Sequence, residues 1–126
     1  MATSKRIFVG FSVEDRWARD LLRGQARLSG SPIAYTDYSV KKPWDATWKT
    51  ECRKRIRGCD GFIGLLSRNI RGADGARSEI KCAVGGGVPA LGVHINRDDD
   101  YTPPEMAGKR VIRWSWHGIG NWIARL

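Results

Sequence analysis

Three short runs that leave no face for water constrain this chain most: KRIFVGF at 5–11, CDGFIGLLS at 59–67 and VPALGVHIN at 88–96. Runs this short read as strands, and strands apolar on both sides belong inside a sheet covered on both faces. Helical spacing fills the gaps between them. Residues 14–28 place Trp17, Leu21, Leu22 and Leu28 at near-helical intervals, with Ser12 as a candidate N-cap. GSPIAYTDYS at 30–39 is a turn, a brief strand and a polar loop, and Pro43 in KKPWD marks where a second helix can begin, running to about Arg57.

RNIRGADG at 68–75 reads as a loop, and residues 77–84 as a short helix, with Ile80, Ala83 and Val84 on one face and the glycines at 85–87 as its stop. NRDDDYTPPEMAGK at 96–109 reads as a surface loop. KRVIRWSW at 109–116 is a last strand and HGIGNWIARL at 117–126 a closing helix carrying Ile119, Trp122, Ile123 and Leu126. Alternating strands and helices predict an α/β fold with a mainly parallel sheet and right-handed connections. In such sheets ligands gather beyond the carboxyl ends of the strands, where the strand order reverses.

At 126 residues the chain reads as one domain spanning 1–126, long enough to bury a core without a metal or disulfide staple. Cys52, Cys59 and Cys82 form no CxxC pair and have no histidine cluster beside them, so reduced, mostly buried thiols are expected, with no metal site. No apolar run approaches a membrane span, and the N-terminus lacks a secretory leader, so a cytoplasmic protein without a membrane partner is expected. The formal charge of +9 points to an anionic partner without choosing one. Much of it lies in WKTECRKRIRGC, where Lys49, Arg53, Lys54 and Arg57 flank an apolar stripe; a solvated helix face explains them, and a nucleic-acid surface is the alternative.

P-loop, dinucleotide, α/β-hydrolase and zincin motifs are absent. His94 suits a strand histidine, and Trp114 and Trp116, at period two, pack in a core or stack a base. Glu79 borders the apolar stripe of its helix, three residues after Ala76 and four before Ala83. That spacing aims it along the helix edge toward the carboxyl end of the sheet, or leaves it a first-turn glutamate favoured by the helix dipole.

FVGFSVED, YTDYS, IRGCDGFIGLLS, SEIKCA and VPALGVHIN, in this order, resemble a TIR-like domain over nearly the whole chain. The likeness is nearest to the TIR-like signalling proteins of bacterial Thoeris antiphage systems. It implies a flavodoxin-like three-layer sandwich around a five-stranded parallel sheet, with a catalytic glutamate on the helix after strand three, matched by Glu79. It further implies cleavage of NAD, used as a substrate and not a cofactor, to nicotinamide and an ADP-ribose product, often cyclic. That product would be a signal to a separate effector, made on a phage-derived trigger by protomers that self-associate. Phe11 and Ser12 after the first strand would meet the diphosphate, Asp37, Tyr38 and Ser39 would border the ribose, and Trp44 would stack a base. From the residues alone Ser12 is equally an N-cap, Asp37 an Asx-turn and Trp44 a helix anchor. The chain departs from the family pattern at Gly10, where serine or alanine is usual, and at Gly75 and Ala76, where a tryptophan often precedes the glutamate.

Overall fold

A computed structural model describes residues 5–28, 33–37 and 46–126, with 33–37 and 46–49 as backbone alone. The apolar runs become strands β1 (Lys5–Gly10), β3 (Gly61–Leu66) and β4 (Ala90–His94), joined by β2 (Ile33–Asp37) and β5 (Arg110–Arg113). They form one sheet in the order β2-β1-β3-β4-β5, with every neighbouring pair parallel. The order reverses at β1, so the switch point lies between the carboxyl ends of β1 and β3.

The helices are α1 (Arg16–Leu28), α2 (Ala46–Arg57), α3 (Asp74–Gly85) and α4 (Trp116–Ala124). Period two on the strands sorts the core into two layers. Phe8, Phe62 and Leu66 pack with Cys52 and Ile56 of α2 and Ala76, Ile80 and Ala83 of α3. Ile7, Val9, Ile63, Leu65, Leu91 and Val93 face the other way, onto Ala18 and Leu22 of α1 and Ile119 and Ile123 of α4.

A row of glycines crosses the α3 side of the sheet: Gly10 pairs with Gly64, and Gly64 with Gly92. At Gly92 a Cβ would come within 2.9 Å of Leu66 and 3.0 Å of Met106, so larger neighbours have grown into the space the glycines leave. Phe8 and Phe62 stack beside this row, with ring centroids 5.8 Å apart.

Several local expectations change. The loop after β3 contains a 3₁₀ turn, Arg68–Gly72, because Ser67 accepts a hydrogen bond from the Asn69 amide, and α3 begins at Asp74 with Ala73 as its N-cap. Glu79 is therefore in the second turn of α3, beyond the reach of a first-turn dipole effect. Ser12 does not cap α1 through its side chain; its carbonyl closes a 3₁₀ turn, Val13–Asp15, by accepting from the Asp15 amide at 2.8 Å.

On α1 the small residues Ala18 and Ala26 are buried with Leu22, while Trp17, Leu21 and Leu28 point outward. The last strand stops at Arg113, so Trp116 is the first residue of α4 and not a sheet partner of Trp114; Ser115 caps the helix by accepting from the Gly118 amide at 3.1 Å. The acidic loop after β4 is no mere surface loop: Asp99 and Met106 are buried in it, and Met106 joins the α3 layer. The expected helix start at Pro43 lies outside the described residues. Among the described residues no helix is long and apolar enough to cross a membrane.

Candidate functional site at the carboxyl end of the sheet

Glu79 is the most deeply placed acid on α3, only 3% exposed. Ala76, Ile80 and Ala83 turn the same side of the helix onto the sheet, and the glutamate is carried inward with them. Its carboxylate comes to rest against Gly10, the last residue of β1. A Cβ on Gly10 would lie 3.0 Å from Glu79 Oε2 and 2.7 Å from the tip of Phe62. The glycine that departs from the family pattern is thus the one whose missing side chain leaves room for the glutamate.

Burial pushes the Glu79 carboxyl well above the usual carboxylate range. Among the described residues no hydrogen bond or ion pair offsets that loss of water. The Cys52 thiol, on α2, is pushed up to about 12 by burial, and by Glu79 and Cys82 next to it. All three cysteines are free thiols, and among the described residues no group of three or more His, Cys, Asp or Glu is placed to hold a metal.

The remaining candidates are placed unevenly. Phe11 and Ser12 follow Gly10 directly, so they leave the sheet at the switch point; Ser12 is buried and Phe11 half-buried, its ring under the Arg19 guanidinium at 5.2 Å. The backbone of Asp37 ends β2 in register with Val9 of β1, one residue short of Gly10. Tyr38, Ser39 and Trp44 lie outside the described residues. His94 ends β4 half-buried, with Nε2 3.4 Å from the Thr102 hydroxyl and Nδ1 buried without a partner.

Sequence reasoning missed an acid at this end of the sheet. Asp15 is 1% exposed and accepts hydrogen bonds from the Ser67 hydroxyl at 2.6 Å and from Asn69 Nδ2 at 2.9 Å. It ties the loop after β1 to the loop after β3 across the switch point. Asp99 does the same for the next loop, accepting from the backbone amides of Arg68 at 2.6 Å and Tyr101 at 3.1 Å. Burial works to raise Asp99, but those amides and the Arg68 guanidinium hold it below its ordinary value. The available signal was a short acid just past each apolar run, the residue type that caps turns.

Two of the depressions among the described residues are built without Glu79. One, of about 530 Å³, lies over Arg68, Asn69, Arg97 and Asp99. The other, of about 390 Å³, is a groove between α2 and α3 whose walls carry Arg53, Arg57 and Lys81. Arg53, Lys54 and Arg57 are exposed, as a solvated helix face requires; the Lys49 side chain lies outside the described residues.

No protein-family model and no curated protein matches the chain. Among solved structures it is similar to a prokaryotic SEFIR domain, at 10% identity with a TM-score of 0.55 over 97% of this chain and 89% of that one. It is also similar to a 3-dehydroquinate dehydratase-like protein from Bifidobacterium longum, at 10% identity over 98% and 94% of the two chains. That TM-score, 0.49, is too low to argue from. The first likeness defines the class: an α/β protein with a parallel sheet and a TIR-like fold.

Proposed function

We propose that the chain is a TIR-type enzyme that cleaves NAD at the bond between nicotinamide and ribose, with Glu79 as the catalytic residue. One observation supports this most: a desolvated carboxyl sits at the topological switch point of a parallel sheet, in a space that Gly10 leaves open. The reaction needs little else. As the C–N bond breaks, its electron pair leaves with nicotinamide, which departs neutral, so no acid is required at the leaving group. The ribose becomes cation-like, and an ionised carboxylate in a dry site stabilises that charge far better than it would in water. Capture of the cation by water gives ADP-ribose and a proton. Capture by a nucleophile of the same molecule gives a cyclic isomer, again with loss of one proton.

Burial disfavours the charged form of Glu79 in the free protein, so substrate binding must favour the carboxylate. The positive charge on the nicotinamide ring favours that ionisation. The finer reading, by likeness to Thoeris proteins, is a phage-triggered enzyme whose cyclic product activates a separate effector. A second reading is a non-catalytic assembly module, favoured by Gly75 and Ala76 standing where a tryptophan often precedes the glutamate in TIR-like domains.

Mass-resolved chromatography of NAD incubated with concentrated protein tests the two, with and without lysate of phage-infected cells. Nicotinamide and an ADP-ribose isomer, lost in Glu79→Gln, support the enzyme. Intact NAD from folded, assembled protein, with signalling unchanged in Glu79→Gln, supports the module and sinks the enzyme.

A further inference from the structure

The outer face of α1 has no role in the fold or in the site around Glu79. Trp17, Leu21 and Leu28 are 50%, 44% and 91% exposed, and Val13, in the turn before the helix, is 61% exposed. On α1, positions 17, 21, 24 and 28 repeat at alternating intervals of four and three, the spacing of a coiled-coil seam. The fourth member, Gly24, has open space where a Cβ would stand, so the seam has a low point between its larger side chains. The core takes its contacts from the opposite side of the helix, through Ala18, Leu22 and Ala26. Trp17, Leu21 and Leu28 are therefore left to water while Ala18, Leu22 and Ala26 serve the core. An arrangement this costly marks a surface that is covered in use.

Charge narrows what covers it. One edge of the seam runs into the body of the domain, and the other carries Arg16, Asp20 and Arg27. Asp20 is taken by Arg19, at 2.8 Å, so this edge is cationic. A second copy of the same face would set arginine edge against arginine edge. A lipid layer would meet a single narrow row interrupted by glycine, whereas a helix ridge fits the low point at Gly24.

We propose that the outer face of α1 docks an amphipathic helix of another protein, one whose apolar seam is bordered by aspartates and glutamates. The assignment is independent of what Glu79 does. The probe is a fluorescein-labelled amphipathic peptide with leucines along its seam and glutamates along its edges, compared by anisotropy with the same peptide carrying lysines at the edges. The full chain binds the glutamate peptide and not the lysine one, more weakly as salt is raised. Trp17→Ala and Leu21→Asp each weaken binding by about tenfold or more. The pair Arg16→Glu and Arg27→Glu reverses the preference toward the lysine peptide. The substituted side chains are outside the core, and a thermal melt confirms that each variant is folded. Equal binding of both peptides, or of neither, overturns the proposal. So does wild-type protein whose mass grows with concentration until Leu21→Asp prevents it, which assigns the face to a second copy. Co-sedimentation with phosphatidylserine vesicles, without preference for the glutamate peptide, assigns it to a membrane and overturns it equally.

Discussion

A carboxyl group buried with no hydrogen bond or ion pair among the described residues is a local liability, and Glu79 is one. Its folded-state pKa lies above the unfolded value. Between the two, the folded protein holds the extra proton, so stability falls as pH rises through that window and levels off above the folded value. Glu79→Gln keeps the shape and removes the titration. The variant is expected to melt a few degrees higher than wild type at neutral pH, with the gap closing toward pH ~4, where the unfolded carboxyl also protonates. An equal melting difference at every pH would contradict this account. If the residue is catalytic, wild-type nicotinamide release rises with pH through the same window while the variant stays silent. Gly10→Ala tests the other half of the arrangement. The new methyl meets Phe62 at 2.7 Å and Glu79 at 3.0 Å in a packed layer. Overpacking of this kind costs about 1–3 kcal/mol, to be read as a lower denaturant midpoint at unchanged slope.

At the scale of elements, α3 is held from both sides. Its inner face lies on the glycine row, and its first turns are clamped by the segment after β4. Arg77 reaches Glu105 with Nη2 at 2.9 Å and with Nε at 3.2 Å to both carboxylate oxygens, while the Arg71 guanidinium lies 5.2 Å over the Tyr101 ring. The Arg77–Glu105 pair is partly exposed, so a double-mutant cycle on Arg77→Ala and Glu105→Ala should return a small favourable coupling that weakens as salt is raised. A coupling near zero would mean that packing alone positions α3. At the other end of the chain, Ser115→Ala removes the α4 cap and should cost about 1 kcal/mol in chemical denaturation. Element existence was legible in the sequence because periodicity reports it directly. Element edges were less so: Trp116 continues the alternation of the last strand, yet the Ser115 cap places it in a helix. The 3₁₀ turn before α3 was likewise hidden in a serine side chain, Ser67, that no spacing rule singles out.

Over the whole molecule, the acids divide by sign. Asp99 and Glu105 are held below their ordinary values, against the pull of burial, by backbone amides and by Arg77 respectively. Their contribution is present above the unfolded carboxylate range and is lost as pH falls through the depressed folded values. Melting temperature should therefore drop on acidification below pH ~4, and Asp99→Asn should flatten that limb by lowering the melting temperature on the neutral side. A steep acid limb that persists in Asp99→Asn would assign it to other groups.

The sequence by itself determined the class of fold. Apolar runs with no polar face cannot sit anywhere but inside a covered sheet, and the helices between them make that sheet parallel. Spacing also put Glu79 beside the buried stripe but left it open as a first-turn glutamate, and only the resemblance to TIR-like domains gave it a catalytic role. What only the tertiary structure decided is how such residues meet. The glycine row arises from strand register, and the space it gives Glu79 comes from side chains fifteen to seventy residues apart in sequence being brought to one sheet end. The same holds for α1, where periodicity marks the large apolar residues as core-facing. The sheet instead takes Ala18, Leu22 and Ala26, since the helix turns that face onto it, and Trp17 and Leu21 are left to face outward.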